Sequence, residues 1–368
     1  MKKKVLIVTK HLRIGGTEKM LLRALPIWNS LGFDIDILLL YNDITLLDDE
    51  LNNYNISFIF SEKSDKAKQK MKEVPDLIYQ KYIKKDYDIE IAFQEGFPTK
   101  LISRSTNSRS KKIAWVHSVF KEYHFSSSAY ENNKEESMSY ENFDKIVFCS
   151  HNAQQSFNLT LNVKTQKQEV IYSPADYHKL TYQSNEYTPD LTYPYFLVLS
   201  RLSPQKGIDR LLQAARQLTN QGLVFNILII GSGELEENTR CLVKKYQLEQ
   251  NIALFPAMSN PYPFLKDCLA YICPSFTESF GLSIQEALCL AKPVIACKTT
   301  GAVEVLMNGE FGEVVSPSSL ALSEAIKSFL VDSFHVKNLQ RKAEMGCAYW
   351  QNQEIISRKQ LSSVFTTF

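Results

Sequence analysis

Glu278 and Glu286 stand with seven residues between them in Glu-Ser-Phe-Gly-Leu-Ser-Ile-Gln-Glu. An apolar run at 269–273 leads into the turn 274–277. After Phe280-Gly281 comes a helix-like stretch, 282–291, and then a second apolar run, 293–296. The pattern is strand, loop, helix, strand. In open parallel sheets, ligands bind at the carboxyl ends of strands and against helix N-termini. Glu278 belongs to such a loop, and Glu286 lies about one turn into the helix, facing the same crevice. Carboxylates there accept hydrogen bonds from the hydroxyls of a sugar or a ribose. Taken alone, the pair also fits a capped helix with one exposed Glu.

A second set weights the choice. Arg201 and Lys206, in Leu-Ser-Arg-Leu-Ser-Pro-Gln-Lys-Gly, follow the apolar run 195–199 and precede a helix-like stretch at 208–218. Two cations on a loop that opens a helix suit a diphosphate. Arg offers a planar fork, Lys a movable point charge, and the helix N-terminus partial positive charge. Alone they read as solvated loop residues; with Glu278 and Glu286 downstream they read as a site.

With these motifs the chain resembles the family 4 glycosyltransferases, retaining nucleotide-sugar enzymes of the GT-B fold. The likeness is carried by SRLSPQKG at 200–207, IIGSGELE at 229–236, NPYPFLKDC at 260–268, PSFTESFGLSIQEAL at 274–288 and KPVIAC at 292–297. GGTEKMLLRAL at 15–25 and AWVHS at 114–118 add to it. It is densest from 195 to 310 and weak at 42–90 and 120–190. Ser279 and Ala291 stand where Gly is common in the family, and 255–258 replaces a Gly-containing turn near the base pocket.

The resemblance implies an α/β protein of two Rossmann-like, doubly wound parallel-sheet domains facing each other across a cleft. It implies transfer of a hexosyl unit, from a UDP-sugar in the favoured reading, to a lipid-linked surface-polysaccharide glycan, as in bacterial capsule and exopolysaccharide synthesis. Arg201 and Lys206 would stabilise the leaving diphosphate, Glu286 would hold the ribose, and Glu278 the transferred sugar. Backbone N–H groups around Phe280, Gly281 and Leu282 would assist at the donor. No cofactor or metal is expected. The rival readings are a nucleotide-sugar 2-epimerase of the same fold and an inactive nucleotide-sugar-binding partner.

Other residues are more ambiguous. Gly15-Gly16 follow the first strand and open a helix, either as a tight turn or as a wall where backbone N–H groups approach the donor phosphate. Gly231 and Gly233 end the strand 227–230 and are either a turn or part of the nucleotide crevice. His117 ends the strand-like 113–116; it is either structural or, as the resemblance implies, close to the reacting sugar. Glu95, after another strand, is either an acceptor contact or a helix-start carboxylate. Asp34-Ile35-Asp36 and Asp86-Tyr87-Asp88 have the spacing of a metal-binding pair, but each sits at the mouth of a strand and reads as a polar strand entry.

The elements that must position these residues follow from the pattern. The chain has 368 residues and 44% hydrophobic content, enough for two domain cores. Strands are expected at 5–9, 35–41, 56–60, 89–93, 113–117, 146–149 and 170–172. Helices are expected at 17–31, 76–84, 99–105 and 153–161, an alternation that argues for a parallel sheet. The expected division is a domain at 1–175, a linker at 176–194, a domain at 195–332, and a helical tail at 333–368. The resemblance implies that the first domain takes the acceptor and the second the donor, and that the tail returns to the first, with Trp350 as its anchor.

A formal charge of +2 gives no argument for nucleic acid. Seven cysteines without a C-x-x-C spacing read as buried hydrophobes in a reducing compartment. The basic N-terminus precedes an apolar run too short for a signal peptide, and nothing spans a bilayer. Lysine-rich stretches at 63–85 and 100–112 are either a solvated face or a patch for an anionic membrane surface. The expected location is therefore cytoplasmic, peripheral at the inner face of the plasma membrane.

Overall fold

The structure is a computed structural model describing residues 2–13, 15–45, 48–122, 124–163 and 167–366. It divides into two compact units, Met1–Pro174 with Ile355–Phe368, and Ala175–Glu354.

Among the described residues the first unit carries a seven-stranded, all-parallel sheet. Its strands are β1 (Lys4–Thr9), β2 (Asp34–Tyr41), β3 (Asn55–Phe60), β4 (Ile89–Ala92), β5 (Lys111–Val116), β6 (Lys145–Phe148) and β7 (Lys167–Val170), in spatial order 3-2-1-4-5-6-7. Helices α1 (Gly16–Ser30), α2 (Asp65–Glu73), α3 (Pro75–Tyr82), α4 (Phe97–Ile102), α5 (Asn133–Tyr140) and α6 (His151–Thr160) connect them. Strands β1, β4 and β6 are near-continuous apolar runs because both sheet faces are covered. One face packs Val8, Leu38, Val116 and Phe148; the other packs Ile7, Ile37, Phe93 and Trp115.

The second unit carries β8 (Phe196–Leu199), β9 (Ile227–Ile230), β10 (Ile252–Phe255), β11 (Tyr271–Cys273), β12 (Val294–Cys297) and β13 (Glu313–Val315), in order 10-9-8-11-12-13 and again parallel. Its helices are α7 (Tyr177–Gln183), α8 (Ile208–Asn220), α9 (Glu236–Lys245), α10 (Tyr262–Asp267), α11 (Leu282–Cys289), α12 (Thr300–Val305) and α13 (Ser319–Val331), and α14 (Ser333–Ser363) follows. In each sheet the strand order reverses once, between β1 and β4 and between β8 and β11. Such a switch point opens a crevice beyond the strands' carboxyl ends.

Four expectations need correction. The seventh strand is Lys167–Val170, not 170–172: it is an edge strand, polar on its open side, so the apolar run marks its end rather than its body. The stretch 176–194 is not a bare linker. It contains α7 and is fastened to the second unit by Tyr187 Oη donating to Asn260 O (2.6 Å) and Asn260 Nδ2 donating to Gln183 O (2.8 Å). The lysine-rich 63–85 holds, besides the helix expected at 76–84, a second one at Asp65–Glu73 that was not among the expected elements; Pro75, which lacks an N–H, keeps Val74 between them out of helical geometry (φ −134°, ψ 47°). Trp350 is not the anchor of the tail in the first unit. It is buried in the second, its indole N–H donating to Val305 O (3.2 Å) and its ring edge-on to Phe280. The tail residues in the first unit's core are Leu361, Val364 and Phe365, with Trp28 Nε1 donating to Leu361 O (3.0 Å) and Lys145 Nζ to Val364 O (3.1 Å).

Candidate functional site

Two groups of side chains gather at the two switch points. In the second unit, the turn after β8 bears Lys206 and the loop after β11 bears Glu278. Lys206 Nζ donates to Glu278 Oε1 (2.6 Å), and Ser275 Oγ donates to the same oxygen (2.8 Å). Both charges are partly buried, at 19% and 12% side-chain exposure, so their attraction is only partly screened. The main chain of Glu278 is held as well, its carbonyl accepting from Gly301 N (2.8 Å) and Thr300 Oγ1 (3.3 Å). Beneath the carboxylate, burial first and then the charge of Glu278 push the Cys273 thiol up to about 12, which leaves it an inert hydrophobe.

Glu286 lies on α11, 1% exposed, with the phenol of Tyr262 donating to its Oε1 (3.3 Å). Tyr271, whose hydroxyl is held by Ser283 Oγ (2.8 Å) and Leu199 O (3.2 Å), ties α11 to the end of β8. Gly281 precedes α11 in a left-handed conformation (φ 93°). Phe280 turns its ring into the core against Trp350, so only its backbone faces the loop, and Leu282 is half-buried at the start of α11. Arg201 is on the same loop as Lys206 but exposed to solvent. Gly231 and Gly233 have a packing reason to be glycine: a Cβ would stand 1.8 Å from Ser200 O at the first and 2.3 Å from Leu202 O at the second. They let the loop after β9 press against the Arg201 loop.

In the first unit, Glu95 follows β4 and His117 follows β5. Glu95 is fully buried, and its Oε2 accepts from His117 N (3.0 Å). His117 Nε2 bonds Phe93 O (3.1 Å), and burial lowers the imidazole pKa against the opposing pull of Glu95. Glu95 Oε1, Gln94 Oε1, Ser118 Oγ and Thr9 Oγ1 are buried without hydrogen-bond partners among the described residues. All lie at the carboxyl ends of β1, β4 and β5, where a hydroxyl-rich ligand would satisfy them. Gly15 caps α1 with extended backbone, and Gly16 is exposed.

Some neighbours have no motif to announce them. Lys10, after β1, packs its ammonium 4.3 Å from the Phe125 ring centroid, and burial lowers its pKa to about 8 despite the nearby charge of Glu95. Glu18 in α1 pairs with His11 (3.2 Å). Ser275, Tyr262 and Gly301 support the carboxylates of the second unit; of these, only the position of Ser275, three residues before Glu278, offers a signal in the sequence. Asp36 takes hydrogen bonds from Lys85 Nζ (2.6 Å) and Tyr87 Oη (2.6 Å), and Asp86 pairs with Arg109 (3.3 Å), so both D-x-D strings have protein partners. Among the described residues no group of three or more His, Cys, Asp or Glu could hold a metal ion.

Residues 182–345 match the family described as Glycosyl transferases group 1. The chain is similar to the putative colanic acid biosynthesis glycosyltransferase WcaL of Salmonella typhimurium, 29% identical over 46% of this chain and 44% of that protein. It is similar to the capsular polysaccharide biosynthesis glycosyltransferase CapM of Staphylococcus aureus, 27% identical over 46% and 45%. Each match thus spans less than half of the relative's length. A third relative is covered nearly throughout: the N-acetylgalactosamine-N,N'-diacetylbacillosaminyl-diphospho-undecaprenol 4-alpha-N-acetylgalactosaminyltransferase of Campylobacter jejuni, 23% identical over 90% of this chain and 91% of that one. Among solved structures, Anabaena HepE in complex with UDP and glucose superposes over 100% of both chains with TM-score 0.77 and 17% identity. Sucrose-phosphate synthase from Thermosynechococcus elongatus gives 0.76 and 16% over 99% of both.

The fold is GT-B. Each Rossmann-like sheet of this GT-B chain supplies a switch point, the second furnished with a cation and two carboxylates and the first with a carboxylate, a histidine and unpartnered polar atoms.

Proposed function

We propose that this protein is a retaining hexosyltransferase of the family 4 type, moving a sugar from a nucleotide diphosphate sugar, a UDP-sugar in the favoured case, to a hydroxyl of a growing lipid-linked surface-polysaccharide glycan. The observation that carries this reading is the meeting of Lys206 and Glu278 at the switch point of the 182–345 segment, with Glu286 buried on the helix that follows. Lys206 is the cation to stabilise charge building on the leaving diphosphate, with Arg201 free in solvent to join it. Glu278 then turns from Lys206 to the hydroxyls of the transferred sugar. Glu286, seated with Tyr262, accepts from ribose hydroxyls. The relatives' printed activities in colanic acid, capsule and undecaprenol-linked glycan synthesis support the acceptor class.

Glu95 and His117 form the acceptor side, the Glu95 Oε1 accepting a hydrogen bond from an acceptor hydroxyl. The backbone N–H groups of Gly15 and Gly16, where α1 opens, suit a phosphate. No cofactor enters the reaction; the only small molecule consumed is the nucleotide sugar. Incubation with a panel of UDP-sugars, with and without polyprenyl-diphosphate-linked glycan, tests the reading. Transfer that needs acceptor supports it. Acceptor-independent conversion of the donor to its epimer, or no turnover with any donor, overturns it.

A further inference from the structure

Arg210 lies one turn beyond Lys206, on α8, and is 5% exposed. A guanidinium that deep has to spend its hydrogen bonds on something. Its partners are two main-chain carbonyls: Nη1 donates to Pro274 O (3.1 Å) and Ser275 O (3.3 Å). Its Cζ also stands 3.9 Å from the centroid of the Phe276 ring, within cation–π range. These three partners belong to the loop between β11 and Glu278, and the guanidinium also reaches the Cys297 thiol at the end of β12.

That loop meets the Lys206 turn at two further points. Phe276 N donates to Gln205 O (2.8 Å), and Gly207 comes so close that a Cβ there would lie 2.1 Å from Pro274 O. From Ser275 the chain of contacts continues through Oγ to Glu278 Oε1, where Lys206 Nζ arrives from the other side. Arg210 and Lys206 thus reach the same carboxylate by two routes, one through the backbone and one direct.

We infer that Arg210 is a positioning residue, holding the loop after β11 in register with the turn after β8 so that Lys206 and Glu278 present themselves to the donor at a fixed spacing. It touches no substrate. A guanidinium suits the task, since Nη1 donates to both carbonyls while Cζ stands over the Phe276 ring, whereas a lysine ammonium is a compact, strongly hydrated point charge on a different stem. The catalytic part of this inference rests on the transferase reading; the positioning part does not.

The test uses the full chain and the variants Arg210→Met and Arg210→Lys, the second in case the first fails to fold. Hydrogen exchange of residues 273–281 reads positioning without any turnover. Both variants should raise exchange there, while exchange in α13 stays as in wild type. Unchanged exchange in that segment overturns the inference. With a UDP-sugar that wild type consumes, kcat should fall at least about tenfold, the scale on which small misplacements act. Calorimetric affinity for bare UDP should stay within about threefold, because Glu286 and Tyr262 are held elsewhere. Arg210→Met added to Lys206→Ala should cost much less than alone, since the two act on one carboxylate. Full additivity, or a kcat loss matched by an equal loss of UDP affinity, overturns it. A wild type that consumes no donor sinks the transferase reading, and hydrogen exchange then still decides on Arg210.

Discussion

Lys206 Nζ lies 2.6 Å from Glu278 Oε1, so the cation proposed for the diphosphate and the carboxylate proposed for the sugar hold each other. In the proposed reaction a donor would exchange this pair for two new ones. Its phosphates would take the ammonium and its sugar hydroxyls the carboxylate, so neither charge would be left buried and unpaired. That exchange matters because stripping one partner from a partly buried pair costs more than the pair itself contributes.

Lys206→Ala should therefore damage turnover more than nucleotide affinity. Charge on the leaving diphosphate is largest in the transition state, and losing one such contact lowers kcat by about 10²–10³. Steady-state kinetics beside calorimetry with free UDP check this. A near-normal kcat removes Lys206 from the mechanism.

The two carboxylates should separate cleanly. Glu286 is buried on α11 and Glu278 stands in the loop before it. Glu286→Ala should weaken binding of bare UDP, whereas Glu278→Ala should leave that binding nearly intact and abolish sugar transfer. Equal affinity losses in calorimetry would end the division of roles.

How much of this was legible in the residues depends on what each one needs. A buried parallel strand announces itself as a short apolar run, and β2 and β6 lie where those runs are. A polar edge strand does not, which is why only the last residue of Lys-Gln-Glu-Val in β7 fell in the expected 170–172, whereas the more apolar edge strand β3 was expected where it lies. Motif spacing points to Lys206, Glu278 and Glu286 but cannot say that two of them are paired. Nor can it reveal that Lys100, in a basic stretch, is 2% exposed and tied to Glu135 (2.8 Å) and Ala129 O (3.1 Å). Support from Arg210 and Tyr262 is a matter of three-dimensional approach between distant loops, and carries no local signal.

We expect the proposed transfer to need no metal from the D-x-D strings, since Asp36 and Asp86 already have protein partners. Burial alone would raise the carboxyl pKa of Asp36, but hydrogen bonds from Lys85, Tyr87 and Asn55 outweigh it and hold the group below its ordinary range. The stability this adds is present above the unfolded value of about 4 and is lost as pH falls through the lower folded value. Asp36→Asn should leave transfer activity intact, even in excess EDTA, while lowering the melting temperature at pH 7 more than at pH 3. Loss of activity with chelator and rescue by Mn²⁺ or Mg²⁺ would overturn this.

Lys10 gives a pH signature of opposite sign. Its folded pKa, near 8, lies below the model-peptide value, so between the two the unfolded chain binds more protons and stability rises with pH. Relative to Lys10→Met, wild type should gain up to about 3 kcal/mol as pH climbs from 8 to 10.5. Chemical denaturation of both proteins across that range measures the difference. A flat difference would show that the ammonium is well solvated.

The last prediction concerns the meeting with a lipid-linked acceptor. Among the described residues no helix is long and apolar enough to cross a membrane. Under the proposed function, the exposed lysines of the first unit are where such an acceptor's anionic membrane would be met. The basic stretches supply less charge than their composition suggests. Lys100 is buried, and Lys68, Lys85, Arg109 and Lys111 are paired with Asp65, Asp36, Asp86 and Asp144. What remains exposed on and around α2 and α3 is Lys63, Lys66, Lys70, Lys81 and Lys84, interleaved with Leu77 at 62% and Tyr82 at 38% exposure. Each lysine near an anionic leaflet adds about 1 kcal/mol, screened over about 8 Å at physiological salt, and the apolar side chains enter the interface. Sedimentation should show binding to anionic but not neutral vesicles, with release as salt rises. Reversing charge at Lys66, Lys70, Lys81 and Lys84 should abolish it, and Leu77→Glu should weaken it, while donor hydrolysis in solution is spared. Lys85 is left out of the set because its loss would strip Asp36 of a partner and confuse stability with binding. If the wild type ignores anionic vesicles even at low salt, these lysines are a solvated face, and an acceptor carried in solution replaces the lipid-linked one.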